Sequence, residues 1–244
     1  MTPADHHGTH YTEVMKQLCK IRRPKTYLEV GVNTGNLLQH ISSELAICVD
    51  PQFVFNVNFM NGINKAHLYQ QTSDEFFASD EAKIYEGKVD IAFLDGMHVF
   101  EYLLRDFYNT ERLCNRRSVI IMHDCLPLNS EMAHRNFAHS LSIGKNSSHP
   151  DYWTGDVWKI IPILKRKRPD LKIIYLDAAP TGLVLVTNLD PTSTVLEEHY
   201  LEIVEEHAAA PNDIDSINKM YETINLTSAQ RLLNDFDHSL LLKA

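Results

Sequence analysis

Basic charge is scarce in this 244-residue chain: 23 Lys and Arg stand against 32 Asp and Glu, a formal charge of -9. That balance argues against a nucleic-acid binder that works by neutralising phosphates. The one basic run, KRKRP at 165–169, reads as a cationic helix end favoured by the helix dipole. Cysteine is sparse as well, and Cys19, Cys48, Cys114 and Cys125 show no CxxC spacing, so reduced thiols are expected in place of a disulfide framework or a zinc site. No stretch approaches the roughly 20 apolar residues of a membrane span. The N-terminal MTPADHHGTHYTEVMKQL lacks the apolar core of a secretion signal. A cytoplasmic protein without nucleic-acid or membrane partners is the expectation. With 44% hydrophobic and 23% charged residues, wholesale disorder is excluded.

Short apolar runs do alternate with amphipathic stretches, the rhythm of βαβ units and a parallel sheet. TYLEVGV (26–32), LAICVD (45–50), VDIAFLDG (89–96), SVIIMHD (118–124), LKIIYLDA (171–178) and TGLVLVTN (181–188) are predicted strands, with a weaker one at AHLYQQ (66–71). Phe100, Leu103, Leu104, Phe107 and Leu113 recur at helical spacing and predict a crossover helix over 98–113, with His98 in its first turn. DVWKIIPILKRKRP predicts another helix, kinked or bounded at Pro162. The last two strands are too close for a helical crossover and should pair antiparallel. Segment 126–156 is polar and rich in turn formers, the mark of a functional loop or lid over a substrate. Within it Tyr152 and Trp153 are lid candidates, whereas Trp158 reads as a core anchor. Residues 191–244 read as a helical C-terminal extension, with STVLEEHYLEIVEEH and SAQRLLNDFDHSLLLKA as helices, and 1–24 as an N-terminal cap whose His6, His7 and His10 are flexible.

LEVGVNTGNLL (28–38) combines a strand, a glycine turn and an apolar helix start. Gly31 and Gly35 permit close backbone approach to a ligand, with Asn33 between them. The spacing is not the three-glycine pyrophosphate cradle. Glu29 would repel a pyrophosphate but suits a cationic or zwitterionic ligand such as S-adenosylmethionine. Asp50, about 20 residues on, is placed to accept ribose hydroxyls. Thr72, Ser73 and Asp74, ahead of a helix start, form either an N-cap or the turn of an adenine pocket.

In this order the elements resemble a class I S-adenosylmethionine-dependent methyltransferase over about residues 25–190: LEVGVNTG resembles the first motif, VD at 49–50 the ribose-binding acid, and TSD at 72–74 the adenine turn. The resemblance implies a Rossmann-like three-layer α/β sandwich, with a mostly parallel seven-stranded sheet, an antiparallel C-terminal hairpin strand, and the cofactor over the carboxyl ends of the first strands. In that fold FLDGMH (93–98) and IIMHDC (120–125) end neighbouring strands, and Asp95, His123 and Asp124 converge as a candidate site for Mg²⁺, Mn²⁺ or Fe²⁺. Turn chemistry at Asp95-Gly96 and an N-cap at Asp124 are the plain alternatives. DGMHVFEYLLRDF followed by IIMHD further resembles the metal-dependent sugar O-methyltransferases of the macrocin and mycinamicin type and the related cephalosporin hydroxylases. That resemblance implies Asp95 and Asp124 as ligands and His98 as general base, while His123 departs from its usual carboxylate.

The activity implied is metal-assisted O-methylation of a hydroxylated small molecule, a sugar or secondary metabolite. Two rival readings are an Fe(II) hydroxylase using Asp95, His98 and His123, and a non-catalytic cofactor-binding or interaction protein.

Overall fold

The computed structural model describes residues 1–234 of the chain. An eight-stranded sheet runs through it in the order β3-β2-β1-β4-β5-β7-β6-β8. The strands are β1 (Thr26–Val30), β2 (Ser43–Val49), β3 (Ile63–Tyr69), β4 (Val89–Leu94), β5 (Cys114–His123), β6 (Lys172–Leu176), β7 (Leu183–Thr187) and β8 (Leu226–Thr227). The first five pair in parallel, and β7 lies antiparallel between β5 and β6. The mixed sheet and closing hairpin are as expected. An eighth strand of two residues adds to the seven, pairing Tyr175 and Leu176 with Leu226 and Thr227.

Strand side chains alternate with period two, and both faces are buried because helices cover both. On β4 and β5, Ala92, Leu94, Ile120 and Met122 enter one core, and Ile91, Phe93, Val119 and Ile121 the other. The first core takes the apolar stripe of α4 (Phe100–Leu113), with Phe100, Leu104 and Phe107 fully buried. The helix begins two residues later than expected, leaving His98 in the turn that precedes it.

The other core departs from expectation. In place of a helix after the Gly31 turn there is one 3-10 turn, Leu38–His40, before the chain enters β2. Only residues 31–42 join the two strands, too few for a long helix and its return. The N-terminal helix α1 (Tyr11–Arg22) covers that ground, packing Val14, Met15, Leu18 and Cys19 beside Leu37, Leu38 and Ile41. The N-terminal residues are therefore anchored: His6 is buried and donates from Nε2 to the Leu126 carbonyl, and Gly8 and Tyr11 donate backbone bonds to Asp177 and Ala179. That corrects the expected flexibility of the terminal histidines, of which His10 caps α1.

Two short helices, α2 (Ser73–Ala78) and α3 (Asp80–Lys83), lead from β3 to β4. Segment 126–156 carries α5 (Phe137–Gly144) and is fixed at both ends, with Leu126, Met132, Thr154 and Asp156 buried. In α6 (Ile160–Lys167) Pro162 is the third residue, inside the first turn where an N–H needs no helical partner, so it stands at the N-terminal boundary of the helix. Trp158 is buried in the core as expected. Beyond β7 lie α7 (Val195–Glu198), α8 (Tyr200–Ala208), α9 (Ile214–Glu222) and, after β8, α10 (Ala229–Asn234). The rest of the final predicted helix lies outside the described residues.

A buried ionic group ties segment 126–156 to α4. Asp156 accepts from the Phe100 N–H at 3.0 Å, pairs with Arg135 at 2.7 Å and lies 3.2 Å from Lys159. Arg135 also holds Glu101. Lys159 is 1% and Asp156 0% exposed, so neither charge has water to fall back on. Asp156→Ala should therefore cost about 3–5 kcal/mol. Urea unfolding at neutral pH measures it, and a loss under about 1 kcal/mol would show that the group is not fixing the segment.

Candidate active site

In strand order, β1 and β4 are neighbours from which the chain continues in opposite directions across the sheet, and a crevice at such a point receives ligands in open α/β folds. Gly31 ends β1 at φ +88°, and a Cβ there would lie 1.9 Å from the Asp95 carbonyl oxygen, so only glycine lets the two strand ends meet. Asp95 in turn donates its N–H to the Val30 carbonyl.

A cavity of about 770 Å³ opens over this junction. Gly31, Asn33, Asp50, Thr72, Asp95 and His98 are among its lining residues, together with Met97, Tyr102 and Trp153. Asp50 accepts from the Asn33 N–H at 2.8 Å and the Gln52 N–H at 2.7 Å, shaping the turn it faces. Thr72 forms a capping box with Glu75, the N-cap alternative for this stretch, and also lines the cavity. Gly35 lies off the cavity, packed on Phe55. Glu29 sits below it, 2% exposed, accepting from the Tyr27 hydroxyl at 2.6 Å. Burial pushes its carboxyl up to about 8 despite that bond, helped by Asp95 and Asp50.

At the other end, four side chains close into a ring. His98 Nε2 lies 3.3 Å from both Asp95 Oδ1 and Asp124 Oδ2. His123 Nδ1 lies 3.2 Å and 3.4 Å from the same two oxygens. Asp124 adopts φ +58°, turning its carboxylate back toward β4, and the Thr181 hydroxyl donates to its Oδ1. Thr181 comes from the β6–β7 turn and carried no sequence signal. Burial alone would lower the His98 imidazole, but Asp124 and Asp95 outweigh it and raise it to about 9. His123 is likewise raised, against its burial, by the same carboxylates, and the two imidazoles hold Asp95 below the usual carboxylate range despite its burial.

Asp95, His98 and Asp124 each offer a ligand atom within 4.8 Å of the others. Thus Asp95 and Asp124 come together as read from the sequence, and His98 joins them. His123 touches the same oxygens from the inner side. Its ring is covered by Tyr11 at 4.3 Å, a neighbour that sequence spacing did not reveal.

The ring of the expected lid residue Trp153 lies tilted against His98 at 4.7 Å, and the Trp153 carbonyl accepts from His98 Nδ1 at 2.8 Å. Gly155 follows at φ +58°, where a Cβ would fall 1.7 Å from the His98 carbonyl oxygen. Loop 153–156 and the turn holding His98 therefore form one packed unit.

The raised Glu29 carboxyl has a consequence for stability. A carboxyl whose folded value lies above its unfolded one contributes stability fully below the unfolded value, about 4.5, and loses it as pH rises through about 8. In ligand-free thermal melts, wild type should lose ground to Glu29→Gln between pH 5 and 8.5. A constant difference across that range would contradict a buried, protonated Glu29.

Residues 28–125 match the family model for a methyltransferase domain. No curated protein matches the chain. Among solved structures it is similar to cofactor-bound Rv0187 from MTB, at 12% identity and a TM-score of 0.50, over 72% of this chain and 78% of that one. It is also similar to the O-methyltransferase from Bacillus cereus in complex with SAH, at 13% and 0.49, over 72% and 79%. A third is the O-methyltransferase TomG from Streptomyces achromogenes, involved in tomaymycin synthesis and complexed with SAM, at 12% and 0.46, over 72% and 78%. At these identities the likeness is one of fold.

Proposed function

We propose that this chain, whose residues 28–125 match a methyltransferase domain, is a class I S-adenosylmethionine-dependent methyltransferase that transfers the methyl group to a hydroxyl of a small molecule such as a sugar or secondary metabolite, assisted by a divalent cation. One observation carries the reading: a single cavity joins the Gly31, Asn33, Asp50 and Thr72 surface to the Asp95 and His98 surface. The first part suits the cofactor. Asp50 has oxygens for ribose hydroxyls beside the Asn33 turn it already holds, and Ser73 and Asp74 face the place of the base. Met97, Tyr102 and Trp153 wall the second part with apolar and aromatic surface, suited to the face of a sugar or planar ring.

An alcohol is a weak nucleophile until its proton is removed, and transfer requires its oxygen about 3–3.5 Å from the methyl carbon, in line. Asp95 lines the same cavity as Gly31 and Asp50, so a hydroxyl held at Asp95 would share that cavity with the cofactor. Asp95 and Asp124 are the carboxylates that would hold the cation, and His98 between them governs loss of the hydroxyl proton. A cation at this position supplies Lewis acidity that lowers a hydroxyl pKa.

The cofactor side is tested by calorimetry with S-adenosylhomocysteine. Wild type should bind it and Gly31→Ala should not, because the added methyl displaces Asp95; absence of binding by wild type would refute the reading. On the acceptor side, Asp124→Ala should abolish stimulation by added divalent cation while leaving S-adenosylhomocysteine affinity unchanged. Activity that survives a chelator would remove the cation from the scheme. His98→Ala should lower turnover by about 100-fold or more, and an unchanged rate would leave His98 a packing role only.

A further inference from the structure

We infer that the imidazole of His98 is itself a ligand of the cation, completing a site of two carboxylates and one nitrogen with Asp95 and Asp124, and that His123 stays outside it as the donor that aims both carboxylates. For its use this rests on the methyl-transfer reading above; for its geometry it stands on the ring of four side chains.

The two histidines approach the same oxygens at nearly the same distances, so spacing alone does not separate them. Their far nitrogens do. His98 Nδ1 faces the Trp153 carbonyl at 2.8 Å, and a carbonyl only accepts, so Nδ1 carries the hydrogen. In the neutral ring Nε2 then bears the lone pair, directed at Asp95 and Asp124. Metal-bound histidines commonly donate their other ring N–H to a carbonyl or carboxylate in this way, which fixes tautomer and orientation.

His123 is the opposite case. Its Nε2 is buried without any hydrogen-bond partner, and its ring lies against Tyr11 at 4.3 Å and Phe93 at 5.8 Å. Binding an ion through Nδ1 would force the hydrogen onto Nε2, leaving a buried donor unpaired at a cost of about 1–3 kcal/mol. Keeping it on Nδ1 instead satisfies Asp95 Oδ1 at 3.2 Å and leaves only an acceptor idle.

The donor set fits an ion. Bonds of about 2.0–2.2 Å to neighbouring ligands of an octahedral or tetrahedral site put those atoms about 3.0–3.5 Å apart. His98 Nε2 is 3.3 Å from each oxygen, and all three atoms lie within 4.8 Å of one another. One imidazole beside two carboxylates favours Mn²⁺, Fe²⁺, Co²⁺ or Zn²⁺ over Mg²⁺ or Ca²⁺, which prefer oxygen alone. As a ligand, His98 would govern loss of the acceptor's proton through the cation, whose Lewis acidity would lower the hydroxyl pKa so that solvent water takes the proton.

Pulsed electron paramagnetic resonance of the full chain loaded with Cu²⁺ counts bound imidazoles through the remote ring nitrogen. Wild type should show one, His123→Ala should retain it, and His98→Ala should lose it. Mn²⁺ affinity, measured by calorimetry, should exceed Mg²⁺ affinity in wild type and fall by about 100-fold in His98→Ala. Two imidazoles or none in wild type, or a signal lost in His123→Ala and kept in His98→Ala, would overturn the assignment. The wild-type count does not depend on whether either variant folds. S-Adenosylhomocysteine binding read on the same samples separates the two claims: its absence in wild type refutes the cofactor reading, while the imidazole count judges the ligand assignment alone.

Discussion

Contact between the ends of β1 and β4 is the constraint on which the rest of this site depends. The Gly31 backbone lies so close to the Asp95 carbonyl that no side chain fits, and the Asp95 N–H is bound to Val30. Two neighbouring strand ends are thereby locked where their onward chains diverge, and the crevice above them acquires fixed walls. Asp50 repeats the device one strand over by holding the Asn33 and Gln52 amides. The cavity floor is thus backbone held by backbone and carboxylate, a scaffold that costs little further ordering when a ligand arrives.

Charge is placed on this scaffold in alternation. Asp95, His98, Asp124 and His123 set carboxylate against imidazole around a ring, which lets four ionisable groups share a largely buried space at the cavity wall. Each carboxylate is useful to a cation only if the imidazoles yield, so loading such a site is coupled to proton release. The ring is supported from three directions: Thr181 holds Asp124 from the β6–β7 turn, Trp153 holds His98 from the segment before α6, and Tyr11 covers His123 from the N-terminal helix. Loop 153–156 is in turn fixed to α4 through the buried Asp156. Elements far apart in the chain therefore converge on two imidazole rings.

Much of the architecture was legible from the sequence because it follows from short-range rules. Short apolar runs marked β1, β2, β4, β5, β6 and β7, and helical spacing marked α4, since the first pattern reports a strand buried on both faces and the second a helix with one face on the core. The missing helix between β1 and β2 was not legible: Leu37, Leu38 and Ile41 look like a helix start, and only the short return to β2 and the presence of α1 on that ground decide otherwise.

Sequence by itself determined the identity of the chemical groups and their strand: an acid after β4, a histidine and an acid after β5, and a glycine turn after β1, all bound to emerge at one edge of a parallel sheet. What only the tertiary structure decided is the surroundings that distinguish His98 from His123. Both are three residues or fewer from an acid, and nothing in their spacing distinguishes them. The difference lies in what meets the far side of each ring, a backbone carbonyl 55 residues away for His98 and aromatic surface for His123. A ring nitrogen's hydrogen goes where an acceptor waits for it, and such partners are set by packing across the fold, beyond the reach of any local pattern.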